Sequence, residues 1–114
     1  METILRDILA FRNERDWEQF HLPKNLAESI SIEAAELLQI FQWKDPEPAS
    51  NLKLDPILKQ KVAEELADLA IYSLYLANDL EIDLKGAILE KVKKNSEKYP
   101  VELCRGRTSK YTEL

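Results

Sequence analysis

Residues Ser31–Trp43 read SIEAAELLQIFQW, and the helical register of this stretch decides the architecture. Each residue of an α-helix advances about 100° around the axis. With Leu26 at zero, Leu37 falls at about 20°, Ile30 at about 40°, Phe41 at about 60° and Ile40 at about 320°, a single apolar stripe. Glu33, at about 340°, lies in the middle of that stripe, and Glu36, at about 280°, lies at its edge. An unpaired carboxylate on the apolar side of a helix costs on the order of several kcal/mol. The position demands a compensating charge.

The same device recurs in KVAEELADLAIYSLYLANDL, Lys61–Leu80. With Leu58 at zero, Val62, Leu69, Ser73, Leu76 and Leu80 gather between about 0° and 60°, while Glu65 lands at about 340°, Tyr72 at about 320° and Asp68 at about 280°. Glu64 points to about 240° and is expected in solvent. Two helices thus each carry an acid in the stripe and a second acid three residues on, along the same face.

Around these two helices the pattern predicts two more. Thr3 followed by Ile4, Leu5, Ile8, Leu9 and Phe11 predicts a first helix over 3–16. RDWEQFHLPKN then interrupts, and Pro23 or Asn25 opens the second helix, which runs to about Gln42. WKDPEPASNLKLDP, with three prolines, reads as a loop. Asp55-Pro56 pairs a capping acceptor with a first-turn proline and starts a third helix reaching about Asn78. Asp83 caps a fourth, to about Lys98, ended by Tyr99-Pro100. VELCRGRTSKYTEL shows no period. The expectation is an all-α four-helix bundle in one domain spanning 1–114.

Composition narrows the function. A net charge of −5 argues against binding nucleic-acid backbones. Cys104 stands alone, so no intrachain disulfide forms and a cysteine zinc site is not expected. The charged start METILRDILAFRNERDWEQF lacks a signal-peptide pattern, and no apolar run suggests a membrane span. A cytosolic protein is expected.

Four clustered acids require something positive among them, and the stripes carry no Arg or Lys at matching positions. A hard divalent cation, Mg²⁺ or Mn²⁺, suits an all-oxygen ligand set. A di-iron bundle would want Glu-x-x-His on two helices. Here the third residue on is Glu36 or Asp68, and the single histidine, His21, is in a loop.

Glu33-x-x-Glu36 followed by Glu65-x-x-Asp68 resembles the metal-binding signature of the MazG-like, all-α nucleoside triphosphate pyrophosphohydrolases. ERDWEQFHLPKNL, ELLQIFQWK, EELADLAIY and the closing KYTEL resemble the dCTP pyrophosphatase branch, so the likeness runs from about Ile8 to Leu114. Many relatives have paired Glu-Glu where this chain has Ile32-Glu33, a single form that the branch shares. The resemblance implies Mg²⁺-dependent hydrolysis of a dNTP to dNMP and pyrophosphate, dCTP or modified dCTP favoured. Glu33, Glu36, Glu65 and Asp68 would hold metal, and one of them would serve as general base. Which phosphorus is attacked stays open.

The resemblance also touches residues outside the acidic pairs. Trp17 and His21 match the segment that holds the nucleobase; stacking suits tryptophan, and His21 could hydrogen-bond base or sugar. Trp43 ends the second helix, as part of the base pocket or as a cap on the core. Tyr72 resembles a tyrosine packed under the deoxyribose, where a flat ring crowds out a 2′-hydroxyl. Lys91 and Asn95 match positions contacting phosphates and nucleotide, though EKVKKNSEK also reads as a solvated face. Asn25 can reach the site from the start of the second helix. Arg105, Arg107 and Lys110 either close over phosphates, anchor to a neighbouring subunit or remain solvated.

Leu66, Ala67, Ala70, Ile71, Leu74 and Tyr75 make the third helix apolar outside its stripe too, so subunits are expected to pack on it. The family likeness agrees: a homodimer or homotetramer. The rival readings are another base preference (dATP, dUTP or broad) and a non-catalytic nucleotide-sensing bundle.

Overall fold

A computed structural model describes residues 1–114 as helices and connecting turns, with no strand. The helices are α1 (Glu2–Glu14), α2 (Pro23–Phe41), α3 (Ala49–Leu52), α4 (Pro56–Asp79), α5 (Leu84–Lys98) and α6 (Val101–Cys104), with 3-10 turns at Glu18–Phe20 and Tyr111–Glu113. None is long and apolar enough to cross a membrane. The class is all-α, as the sequence pattern requires.

The helix ends follow local chemistry. The Asp55 carboxylate accepts from the backbone N–H groups of Ile57 and Leu58 at 3.0 and 3.1 Å, with Pro56 in the first turn. Asp83 accepts from Gly86 N at 3.2 Å and starts α5. α1 stops two residues before the expected end because Asp16 turns left-handed, at φ 55°, and closes onto Asn13 O. Two single-turn helices also form in segments that show no usable period. α3 starts after extended Pro48 inside the proline-rich loop, and α6 starts after Pro100, where proline costs no N–H that a first turn would use.

The chain divides into two compact units, Met1–Leu80 and Glu81–Leu114. In the first, α2 and α4 form the principal pair and α1 packs on α4. Ser29 lies beside Tyr72, Glu33 beside Glu65, and Ile40 shares a cavity with Leu58, so α2 and α4 run antiparallel. The stripe residues Leu26, Ile30, Glu33, Leu37, Ile40 and Phe41, with Ser29 beside them, are the covered ones on α2, and Glu64 is exposed. Leu80 departs from expectation. It lies past the last turn of α4 as its cap and remains 49% exposed.

The α1–α4 contact is polar at its centre. Arg12, 2% exposed, donates two hydrogen bonds to Asp79 at 2.8 and 2.9 Å, and its guanidinium lies 4.7 Å from the Tyr75 ring centre. The Tyr75 hydroxyl donates to Ile8 O at 2.6 Å. Hydrogen bonds from Arg12 hold the Asp79 carboxyl below the usual carboxylate range.

Removing one partner of such a pair strands the other charge. Asp79→Ala is therefore expected to lower unfolding free energy by about 3 kcal/mol in urea titration. Asp7→Ala, at an exposed pair with Arg6, is expected to change it by less than about 0.5 kcal/mol.

Candidate functional site

Antiparallel packing of α2 on α4 brings Glu33 and Glu36 against Glu65. One carboxylate oxygen from each can be chosen so that all three lie within 4.8 Å of one another. Glu33 and Glu65 are half-buried and Glu36 is exposed. Asp68, half-buried one turn along α4, stands outside this closest group, yet its charge acts on both Glu33 and Tyr72. None of the four forms an ion pair with Lys or Arg; the ion pairs lie elsewhere.

The electrostatic consequence falls on Glu33. The Glu65 carboxyl set against it, then burial, then Glu36, push its pKa up to about 8. A proton held between Glu33 and Glu65 relieves a repulsion that two bare carboxylates would suffer. Even so, Oε2 of Glu33 and Oε2 of Glu65 are buried without a hydrogen-bond partner. Orphaned acceptors, all oxygen, converging from two helices are what a hard divalent cation takes as ligands. The residues fit one.

Beside the carboxylates lies a cavity of about 360 Å³, lined by Asp7, Ile8, Phe11, Trp17, His21, Asp68, Ile71, Tyr72 and Tyr75. Trp17 packs edge-on to Phe11 with ring centres 5.7 Å apart, and His21 sits 5.3 Å from Tyr75 and 6.3 Å from Tyr72. The connecting segment is pinned locally: Trp17 N donates to Arg12 O at 3.1 Å, and the 3-10 turn then closes with His21 N on Glu18 O at 3.0 Å. Burial, then the Arg12 charge, push the His21 pKa down, so the ring is neutral near pH 7, and its Nδ1 is buried without a partner. Burial, then the Glu33 charge, raise the Tyr72 pKa and keep its hydroxyl protonated.

The structure therefore gathers Trp17, His21 and Tyr72 in one cavity that shares Asp68 with the acidic group. It does not bring Trp43 or Asn25 there. Trp43 is 93% exposed in a left-handed conformation, φ 68°, and Asn25 Nδ2 donates to Phe20 O at 3.0 Å, closing the loop before α2. Lys91 and Asn95 are exposed on α5, in the second unit. Ile8 and Phe11 are cavity residues that the sequence placed only on the apolar face of α1, and Tyr75, expected on a face that a second subunit covers, is instead buried against α1. Their signal was the pairing of Tyr72 with Tyr75 three residues on, which puts two rings over one turn.

Comparison with known proteins follows the same lines. The MazG-like family model matches residues 28–114. Two proteins described as dCTP pyrophosphatase 1 align over the whole chain. The one from Bos taurus is 42% identical with 68% of its length covered, and the one from Homo sapiens is 43% identical with 67% covered. The crystal structure of a pyrophosphatase from Archaeoglobus fulgidus superposes with a TM-score of 0.79 at 45% identity, over 88% of this chain and 92% of that one.

The raised Glu33 pKa carries a sign. Between the ordinary glutamate value and about 8 the metal-free fold binds a proton that the unfolded chain has released. Metal-free protein should therefore lose thermal stability as pH rises through 8, seen as a falling melting temperature. A saturating divalent cation should flatten that dependence, and calorimetry at pH 7 should register proton release on cation binding through its dependence on buffer ionisation heat.

Proposed function

The chain belongs to the MazG-like family and is a nucleoside triphosphate pyrophosphohydrolase, and from that premise we propose that it cleaves deoxynucleoside triphosphates with Mg²⁺. dCTP or a modified dCTP is the favoured substrate, as the names of the whole-length relatives suggest. The observation that carries the reading is a cluster of orphaned carboxylate oxygens adjoining an aromatic cavity, with Asp68 common to both. One water is consumed, the α–β phosphoanhydride opens, and dNMP and pyrophosphate leave.

Glu33, Glu36, Glu65 and Asp68 would hold Mg²⁺, or Mn²⁺ in its place. When bound, the cation neutralises phosphate charge and acidifies water. The protein residues do the rest. One of these carboxylates accepts the proton of the attacking water. Trp17 supplies a π-face for the base, and the neutral His21 offers its free Nδ1 to it. The Tyr72 ring sits between cavity and carboxylates, where a sugar joins base to phosphate, and its flat face disfavours a 2′-hydroxyl. Lys91 and Asn95, exposed on α5, are assigned a phosphate- and nucleotide-binding role on their match to family positions alone.

The working form is a homodimer or a pair of homodimers. Leu66 is 51% exposed on α4 beside exposed Ala67 and Ala70, and Ile32 and Leu38 on α2 are 57% and 70% exposed. A second copy would cover such faces. Trp43, nearly fully exposed and held in a strained left-handed turn, then stacks on the base bound by the partner copy. The activity belongs in the cytosol, acting on the free nucleotide pool rather than on nucleic acid.

A panel of NTPs and dNTPs with Mg²⁺, assayed for pyrophosphate and monophosphate release, tests this reading. Turnover of dCTP well above the others is expected, and hydrolysis of none of them would sink it. Glu33→Gln should reduce kcat about 100-fold or more while circular dichroism shows unchanged helix. Tyr72→Ala should narrow the preference for dCTP over CTP, measured as the ratio of kcat/KM values; an unchanged ratio would remove the sugar assignment.

A further inference from the structure

The acidic group borders a second cavity, of about 600 Å³, on the side away from Trp17 and His21. Glu36 and Glu65 form one edge of it, and Gln39, Gln42, Lys44, Asp55 and Lys61 complete the polar lining. The carboxylates thus stand between two cavities: Asp68 opens onto the aromatic one, and Glu36 and Glu65 onto the one with the lysines.

The order along α4 shows how a ligand would lie. Tyr72, Asp68, Glu65 and Lys61 follow at intervals of four, three and four residues, so they share one face and span roughly 16 Å at 1.5 Å per residue. A nucleoside against Tyr72 with its first phosphate at Asp68 and Glu65 directs the rest of the polyphosphate toward Lys61. Neither Lys61 nor Lys44 is engaged in an ion pair, although Glu36 and Glu65 line the same cavity. The third acid there, Asp55, is committed to capping α4. Two uncommitted ammonium groups and two side-chain amides face a cavity one turn beyond the candidate cation ligands, where a polyanion would otherwise meet only acids.

Resting on the pyrophosphohydrolase reading, we propose that Lys61, assisted by Lys44, forms the subsite for the β- and γ-phosphates and for the pyrophosphate product. Lysine suits this place, because a point charge on a flexible stem follows a phosphate chain as it leaves. The subsite accounts for specificity toward triphosphates over monophosphates, which the aromatic cavity alone cannot supply.

The test compares wild type, Lys61→Gln, Lys61→Arg and Lys44→Gln with Mg²⁺ present. It measures product inhibition by inorganic pyrophosphate and by the deoxynucleoside monophosphate, and direct binding of magnesium pyrophosphate by calorimetry. Lys61→Gln should weaken pyrophosphate binding by about ten-fold, the loss of one charge-assisted contact, with monophosphate inhibition and helix content unchanged. Lys61→Arg should restore most of it, and Lys44→Gln should show a smaller loss of the same kind. Unchanged pyrophosphate binding in Lys61→Gln would overturn the proposal. So would an equal weakening of both products, which would make Lys61 a scaffold residue. A wild type that hydrolyses no triphosphate strikes the underlying reading instead, whereas an active wild type with an indifferent Lys61 strikes this one alone.

Discussion

Two carboxylates, Glu33 on α2 and Glu65 on α4, face each other across the main helix pair of the first unit, each with an oxygen buried and unpartnered. Apolar residues one turn away on each helix, Ile30 and Leu37 on α2 and Val62 and Leu69 on α4, draw the helices together at this point. Like charges push them apart there. The fold thus concentrates its principal packing and its principal electrostatic liability in one place. A proton shared at a pKa of about 8 is a partial solution, and a divalent cation is a better one, since it satisfies several oxygens at once. The chemistry inferred for the site is the use of this unresolved repulsion.

The other end of the cavity rests on a charge pair of opposite character. Arg12 makes three contacts: its side chain reaches Asp79 on α4, its guanidinium lies against Tyr75, and its carbonyl accepts the N–H of Trp17. One residue therefore ties α1, the far end of α4 and the aromatic loop together. The same positive charge adds to burial in keeping His21 neutral. Stability and site chemistry are coupled through α4, which carries Glu65, Asp68, Tyr72, Tyr75 and Asp79 in succession along one face.

Much of this was legible in the sequence, and the boundary of legibility is physical. The stripe angles placed Glu33, Glu65, Asp68 and Tyr72 correctly because helical periodicity is rigid, and Asp55 and Asp83 announced helix starts because capping is local. Arg12 and Asp79 were invisible because they are 67 residues apart and belong to types usually found in solvent. The aromatic cavity was half visible. Trp17 and His21 stood out through family likeness, whereas Ile8 and Phe11 look like ordinary core until the loop folds over them, and Tyr75 looked like a subunit contact. The left-handed turn at Trp43 gave no signal, since the chain places tryptophan where glycine or asparagine would be usual.

The distribution of burial carries the last step. Within one chain the apolar side chains classed as buried are Leu26, Leu58, Tyr75 and Ala77, a sparse core for a domain that also buries carboxylates. Such a fold gains stability from whatever binds its native state, by mass action. A cation between α2 and α4 would remove the repulsion, and a nucleotide seated as proposed would bridge the loop, α4 and the acids. A second copy placed over Leu66, Ala67 and Ala70 would cover apolar surface that one chain leaves exposed. Each stabilises the arrangement that the others need, so their bindings are expected to be positively linked. The half-buried acids weaken the isolated helix pair, and a ligand that neutralises them would stabilise its ordered form.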